Sequence, residues 1–276
     1  MTVNLGKYGI WQRAGRLNAE LARELEELGY GTIWIGSSPP GDLRIVEDLL
    51  DATSTIAVAT GIVNMWTDDA ATVAASYHRI VAKYPDRFLL GVGIGHPEAT
   101  QEYQKPYGKI VSYLDELDEA GVPTEDRLLA ALGPKVLRLA AERTLGAHPY
   151  LTTPEHTREA REILGAGTLL APEQKVVLDT DPVRAREIAR PTIAMPYLHL
   201  RNYLNNLRRL GWDDADLADG GSDRLIDALA VHGDAQAVAR GLNAHLDAGA
   251  DHVCIQVLTA DDDPRPSYRA LAEVLF

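Results

Sequence analysis

The sequence predicts an α/β protein: a parallel (β/α)8 TIM barrel with a helical insertion before the last strand, in one domain over residues 1–276. Three observations predict it. Short apolar runs bounded by glycine alternate with helical patterns along the chain, as parallel sheets require. Eight such units favour a closed barrel over an open sheet. A stretch from Thr192 to Ser222 breaks the rhythm with extra helical pieces.

The units follow in order. Leu5–Trp11 reads as the first strand, and Leu17, Leu21, Leu25 and Leu28 recur at helical spacing before Gly29 closes the helix. Gly31–Gly36 is the second strand, ending in Ser37-Ser38-Pro39-Pro40, and a helix covers Leu43–Thr53. Ile56–Met65 is the third strand, with Gly61 in its middle, and Asp68 or Asp69 caps the next helix. The fourth strand is Arg87-Phe88-Leu89-Leu90-Gly91-Val92-Gly93-Ile94-Gly95-His96, an apolar run entering a glycine ladder. Glycines there let another backbone or a flat ligand come close, or only relieve crowding inside the barrel. Leu128–Gly133, Gly146–Leu151, Leu169–Leu178 (broken by Pro172) and His252–Leu258 complete the set. Helical pieces at Pro182–Ala189, Pro191–Leu210 and Asp234–Ala248 fill the interval before the last strand, and the acidic Gly211–Ser222 reads as a surface loop.

Charge narrows the partners. With 27 basic and 40 acidic side chains the net charge is −13, which argues against nucleic acid and anionic membranes. No apolar run approaches membrane length and no signal segment opens the chain, so a cytoplasmic location is expected. The single Cys254 lies in an apolar run, and the eight histidines show no metal-ligand spacing, so no metal is expected.

A barrel gathers its strand ends on one rim, where such enzymes keep their chemistry. That rim would hold Trp11, Ser37, Gly61, Ile62, Asn64, His96, Gly133, Lys135, His148 and Tyr150. Gly133-Pro134-Lys135 opens a helix directly after a strand, so free N–H groups and the positive dipole end suit an anion. Gly61-Ile62 interrupts a β-branched strand, which suggests a bulge or a close ligand. His96 and His148 are the candidate proton-handling side chains. No nucleophile elbow and no paired carboxylates are visible, which disfavours hydrolase and glycosidase readings.

These motifs together resemble the luciferase-like monooxygenase family, and most closely its branch using the deazaflavin coenzyme F420. Thr60-Gly61-Ile62-Val63 matches the family's bulge behind the cofactor ring. Arg87-Phe88-Leu89-Leu90-Gly91-Val92-Gly93 is close to its fourth-strand signature. Ala131-Leu132-Gly133-Pro134-Lys135 matches its phosphate site, and Gly146-Ala147-His148-Pro149-Tyr150 with Thr152-Thr153-Pro154-Glu155-His156 its sixth unit. The resemblance implies F420, with FMN as the alternative, held by Ser37, Gly61, Ile62, Asn64, Gly93, Gly133, Pro134 and Lys135. It also implies a small organic substrate, a possible homodimer, and His96 and His148 as catalytic candidates. Two departures are notable. F420-dependent sugar-phosphate dehydrogenases carry an acid followed by histidine where this chain has Ser37-Ser38, and a glutamate where it has His96. Their proton-handling set therefore does not transfer, and a non-catalytic flavin-binding relative is a further alternative.

Overall fold

A computed structural model describes residues 3–95 and 106–276. The elements run β1 (Tyr8–Arg13), α1 (Ala19–Glu27), β2 (Thr32–Gly36), α2 (Arg44–Asp51), β3 (Ala57–Gly61), β4 (Val63–Asn64), α3 (Ala70–Lys83) and β5 (Phe88–Gly93). They continue α4 (Pro106–Glu119), β6 (Arg127–Leu129), α5 (Pro134–Arg143), β7 (Gly146–Ala147), α6 (Pro154–Leu164), β8 (Leu169–Leu170) and β9 (Glu173–Val177). The last are α7 (Pro182–Ala194), α8 (Arg201–Arg209), α9 (Asp214–Leu217), α10 (Asp223–Leu229), β10 (Ala230–His232), α11 (Ala235–Asp247), β11 (Val253–Val257) and α12 (Arg265–Leu275).

All strand pairs are parallel, and the order β9-β11-β1-β2-β3-β5-β6-β7-β8 is nearly sequential. The barrel closes through β8 and β9, which are one strand bent at Pro172. On one flank Ala171 N–H donates to Ala147 O (3.0 Å) and Glu173 N–H to Pro149 O (2.8 Å). On the other, Asp251 N–H donates to Leu170 O and Cys254 N–H to Pro172 O, each at 2.9 Å. Pro172 gives no N–H to either ladder, so the strand bends where that donor is missing.

Side chains alternate as a barrel wall requires. Trp11, Trp34, Ala59, Leu89, Leu128 and Cys254 pack together inside the barrel. Their neighbours Ile10, Ile33, Ile35, Val58, Leu90 and Ile255 pack outward with the helices. Asp69 caps α3 by accepting Thr72 N–H at 2.8 Å. The interior is thus mostly apolar at these positions.

Several boundaries differ from the sequence expectation. β6 and β7 are shorter than the predicted runs, because residues 131–133 and 150–153 leave the ladder at the barrel mouth. α6 begins at Pro154, three residues before the Thr157 start that the sequence predicts for a helix over 157–164, since proline suits a first helical turn. α7 passes through Pro191 to Ala194, although a break was expected there. The acidic loop contains α9, whose Asp213 and Asp216 form a reciprocal capping box. β10, a short addition beside β9, and α10 were not foreseen. Among the described residues no helix is long and apolar enough to cross a membrane.

Candidate functional site

A cavity of about 520 Å³ opens at the C-terminal mouth of the barrel. One wall is the end of β3: Gly61 and Ile62, joined by a cis peptide bond, with Asn64 beyond. The opposite end is Ala130–Gly133 at the start of α5. α7–α8 and their linker close the top with Pro196, Tyr197, Asn202 and Tyr203.

The wall at Gly61 depends on what β5 lacks. A Cβ on Gly91 would stand 1.9 Å from Thr60 O, so no side chain fits there. Thr60 Oγ1 instead accepts Gly91 N–H and donates to Gly91 O, both at 2.8 Å, splicing the two strands. A Cβ on Gly93 would meet Ala130 Cβ at 2.8 Å and Ile62 at 3.1 Å. These two glycines therefore make room for the β3 bulge. Of the two sequence-level readings of the ladder, crowding describes Gly91 and Gly93, and Gly93 does not line the cavity. Gly133 is different: an added Cβ there would meet nothing within 4 Å, and the space beside it opens to the cavity.

His148 is the polar centre of the floor. It is buried, stacked on Trp34 (4.4 Å between centroids, 15°), and its Nδ1 lies 2.7 Å from Ala171 O. A carbonyl can only accept, so Nδ1 carries the hydrogen and Nε2 presents a lone pair. Among the described residues that Nε2 has no partner, and it lies against Gly61, where a Cβ would stand 3.3 Å away. Burial pushes the imidazole down to about 4. At neutral pH His148 is thus an acceptor and not a proton donor. Behind Trp34, its indole N–H donates to His252 Nε2 (3.0 Å), whose Nδ1 faces Gly6 O at 2.9 Å, so this second ring is fully used.

The predicted residues separate into three groups. Ser37, Gly61, Ile62, Asn64, Gly133 and His148 come together around the one cavity. Gly93 lies beneath it, Pro134 begins α5 just outside it, and Lys135 lies exposed with Nζ 3.6 Å over the Tyr107 ring. His96 falls outside the described residues. Ser37 and Ser38 both adopt left-handed φ, +63° and +48°, where non-glycine residues are uncommon.

Sequence reasoning missed the charged part of the interior. Glu173 and Lys175 alternate onto the inner face of β9, wholly buried and paired at 3.1 Å. Glu173 also accepts Leu151 N–H at 2.9 Å, and Lys175 Nζ lies 3.9 Å over the Tyr150 ring. Burial raises the Glu173 carboxyl and lowers the Lys175 ammonium, each against the attraction of the other. The signal was present as two opposite charges at i and i+2 inside an apolar strand. Trp11 and Tyr150 share the inner wall, 5.7 Å apart, and the Tyr150 hydroxyl donates to Gln256 Oε1 at 2.7 Å. No cluster of side chains able to hold a metal ion occurs among the described residues.

The fold and cavity define a (β/α)8 barrel with a ring-sized site at its C-terminal mouth. Over residues 7–120 the chain matches the family model described as luciferase-like monooxygenase, which carries β1 to α4 and so the β3 bulge and the glycine ladder. No curated protein matches the chain. Similar solved structures include an F420-dependent secondary alcohol dehydrogenase in complex with an F420-acetone adduct. It is 15% identical, with 99% of this chain and 98% of that one covered and a TM-score of 0.75. The coenzyme F420 dependent tetrahydromethanopterin reductase from Methanopyrus kandleri is 16% identical, with 97% of each chain covered and a TM-score of 0.74. The oxygenating constituent of 3,6-diketocamphane monooxygenase from Pseudomonas putida, in complex with FMN, is 14% identical, with 97% and 96% covered and a TM-score of 0.69. At such identities these likenesses establish the shared barrel.

Proposed function

We propose that the chain is an oxidoreductase of the luciferase-like kind that uses coenzyme F420 to pass a hydride to or from a small organic substrate in the cytoplasm. One observation carries the reading: Gly61-Ile62, the open start of α5 at Gly133, and His148, whose buried Nε2 has no partner among the described residues, all line a single cavity of about 520 Å³. A flat ring system with an anionic tail needs those three things: a bare wall, a hydrogen-bond acceptor at ring depth, and a helix start.

The residues divide the work. Gly61 and Ile62 would set the ring's depth, and Trp11, whose indole N–H donates to Gly61 O at 3.4 Å, holds the bulge. His148 Nε2 would accept an N–H or O–H of the ligand. The N–H groups at the start of α5 would face the phosphate, with Lys135 at the rim. Tyr197 and Tyr203 would exclude water from above. When bound, the deazaflavin supplies the hydride-exchanging carbon. FMN remains the rival, because an FMN-bearing barrel shares the fold. A binding protein without turnover is the other rival, favoured by Ser37-Ser38 in place of an acid–histidine pair.

Titrating the purified protein with F420 and with FMN, followed by cofactor fluorescence, separates these readings. Saturable F420 binding, at least tenfold tighter than FMN, is expected. Tight FMN binding without F420 binding would replace F420 by FMN. Bound F420H2 that reduces no member of a carbonyl and enone panel would favour the non-catalytic rival.

A further inference from the structure

Beside the ring-sized cavity lies a second one, of about 290 Å³, which shares Trp11, Ser37, Tyr150, Pro196 and Tyr197 with it. The shared wall makes it the natural place for whatever reacts at the ring. Its lining mixes aromatic and apolar side chains (Trp11, Tyr150, Pro196, Tyr197) with the polar Ser37, Thr192 and Gln256, and the exposed Arg13 stands at one edge. Arg13 ends β1, two residues after Trp11 and so on the same inward face at the rim. Its guanidinium has no hydrogen-bond or ion-pair partner among the described residues, in a chain where many arginines are paired. The neighbouring Arg16, by contrast, is held by Asp262 at 2.9 Å.

The rest of the lining adds neutral hydrogen-bonding groups and, among the described residues, no counter-charge. The Gln256 carbonyl accepts from the Tyr150 hydroxyl, and its NH2 group has no partner among the described residues. Ser37 and Thr192 add hydroxyls, and among the described residues no aspartate or glutamate lines this cavity. A protein of net charge −13 repels anions at long range. The exposed Arg13 guanidinium at the mouth of this cavity is therefore a local cationic point for an anion, and a planar guanidinium suits a planar carboxylate.

We propose that this second cavity binds the carboxylate of a small organic acid with an apolar or aromatic body, with Arg13 as its specificity-determining residue. Calling that acid the substrate rests on the oxidoreductase reading; the carboxylate site itself does not. Arg13 and the Gln256 amide grip the carboxylate, Tyr150, Pro196 and Tyr197 hold the body, and the far end reaches past Trp11 toward the ring.

Calorimetric titration of the cofactor-free protein with three matched pairs tests this: benzoate and benzamide, cinnamate and cinnamamide, hexanoate and hexanamide. At least one acid should bind tenfold or more tightly than its amide. Arg13→Gln should abolish that preference while leaving amide affinity and the melting temperature unchanged. Arg13→Lys should retain part of it, and Arg16→Gln all of it. Equal affinity for acid and amide in every pair, no binding of any acid, or a preference that survives Arg13→Gln would each overturn the proposal. F420 titration of Arg13→Gln should match wild type. Carboxylate selectivity in a protein that binds neither F420 nor FMN would sink the oxidoreductase reading and leave this site standing; the reverse pattern would do the opposite.

Discussion

β5 and the bent strand made of β8 and β9 stand three places apart around the barrel, and they serve the cavity in opposite ways. β5 ends in residues without side chains, and its contribution is space: Thr60 O and Ile62 occupy the volume that Gly91 and Gly93 leave. β9 begins with full-length charged side chains, and its contribution is a fixed ion pair, with the Lys175 ammonium over the Tyr150 ring. One strand shapes the site by omission, the other by electrostatics. Strands in one barrel can therefore diverge while sharing a core, since Leu89 and Ala171 both sit in the same apolar interior.

The largest way to break this contrast is on the charged side. Lys175→Met leaves the Glu173 carboxyl buried without a counter-charge and should cost about 3–5 kcal/mol of unfolding free energy. The double change Lys175→Met with Glu173→Leu should recover most of it, because a buried ion pair is often no better than apolar packing of similar volume. Urea denaturation of the two variants reads the difference; an undiminished loss in the double variant would show that Leu151 N–H depends on Glu173 more than this account holds.

The space-making side is next. Gly91→Ala drives a methyl into Thr60 O and should cost about 3 kcal/mol, the upper part of the overpacking range. Gly133→Ala meets nothing and should cost about 1 kcal/mol or less, as at other helix starts. Equal losses at the two positions would contradict the distinction drawn between ladder and cavity glycines.

A smaller effect sharpens the comparison through pH. Burial holds His148, His245 and His252 at about 4, below their ordinary 6.5. Between those values the unfolded chain binds protons that the folded chain does not. Stability is therefore complete above pH 6.5 and falls as pH drops toward 4, by up to about 1.4 kcal/mol per pH unit for each ring. Glu173, raised by burial, works weakly the other way near the bottom of that window. Denaturation at pH 7 and pH 5 should show the loss, and a flat profile would mean that these rings are solvated.

Much of this was legible in the sequence. The eight strands were readable because buried parallel strands are uninterrupted apolar runs, and the helix starts because Asp69 and Pro134 are strong local signals. The Gly61, Gly133 and His148 positions followed from strand ends alone. The remainder depends on contacts distant in sequence. Whether a ladder glycine faces a ligand or a neighbouring backbone is set by Thr60, some thirty residues away from Gly91. The state of His148 depends on Ala171 O, and the cavity roof on Tyr197 and Tyr203, whose positions no periodicity fixes. Glu173 and Lys175 look like interruptions of a strand until the barrel closes around them.

The most direct test is a crystal structure of the protein grown with F420. The account expects the ring against Gly61-Ile62, a ring or substrate N–H or O–H within 3.2 Å of His148 Nε2, and the phosphate at the start of α5. A ring bound elsewhere, or a phosphate away from Gly133, would contradict it.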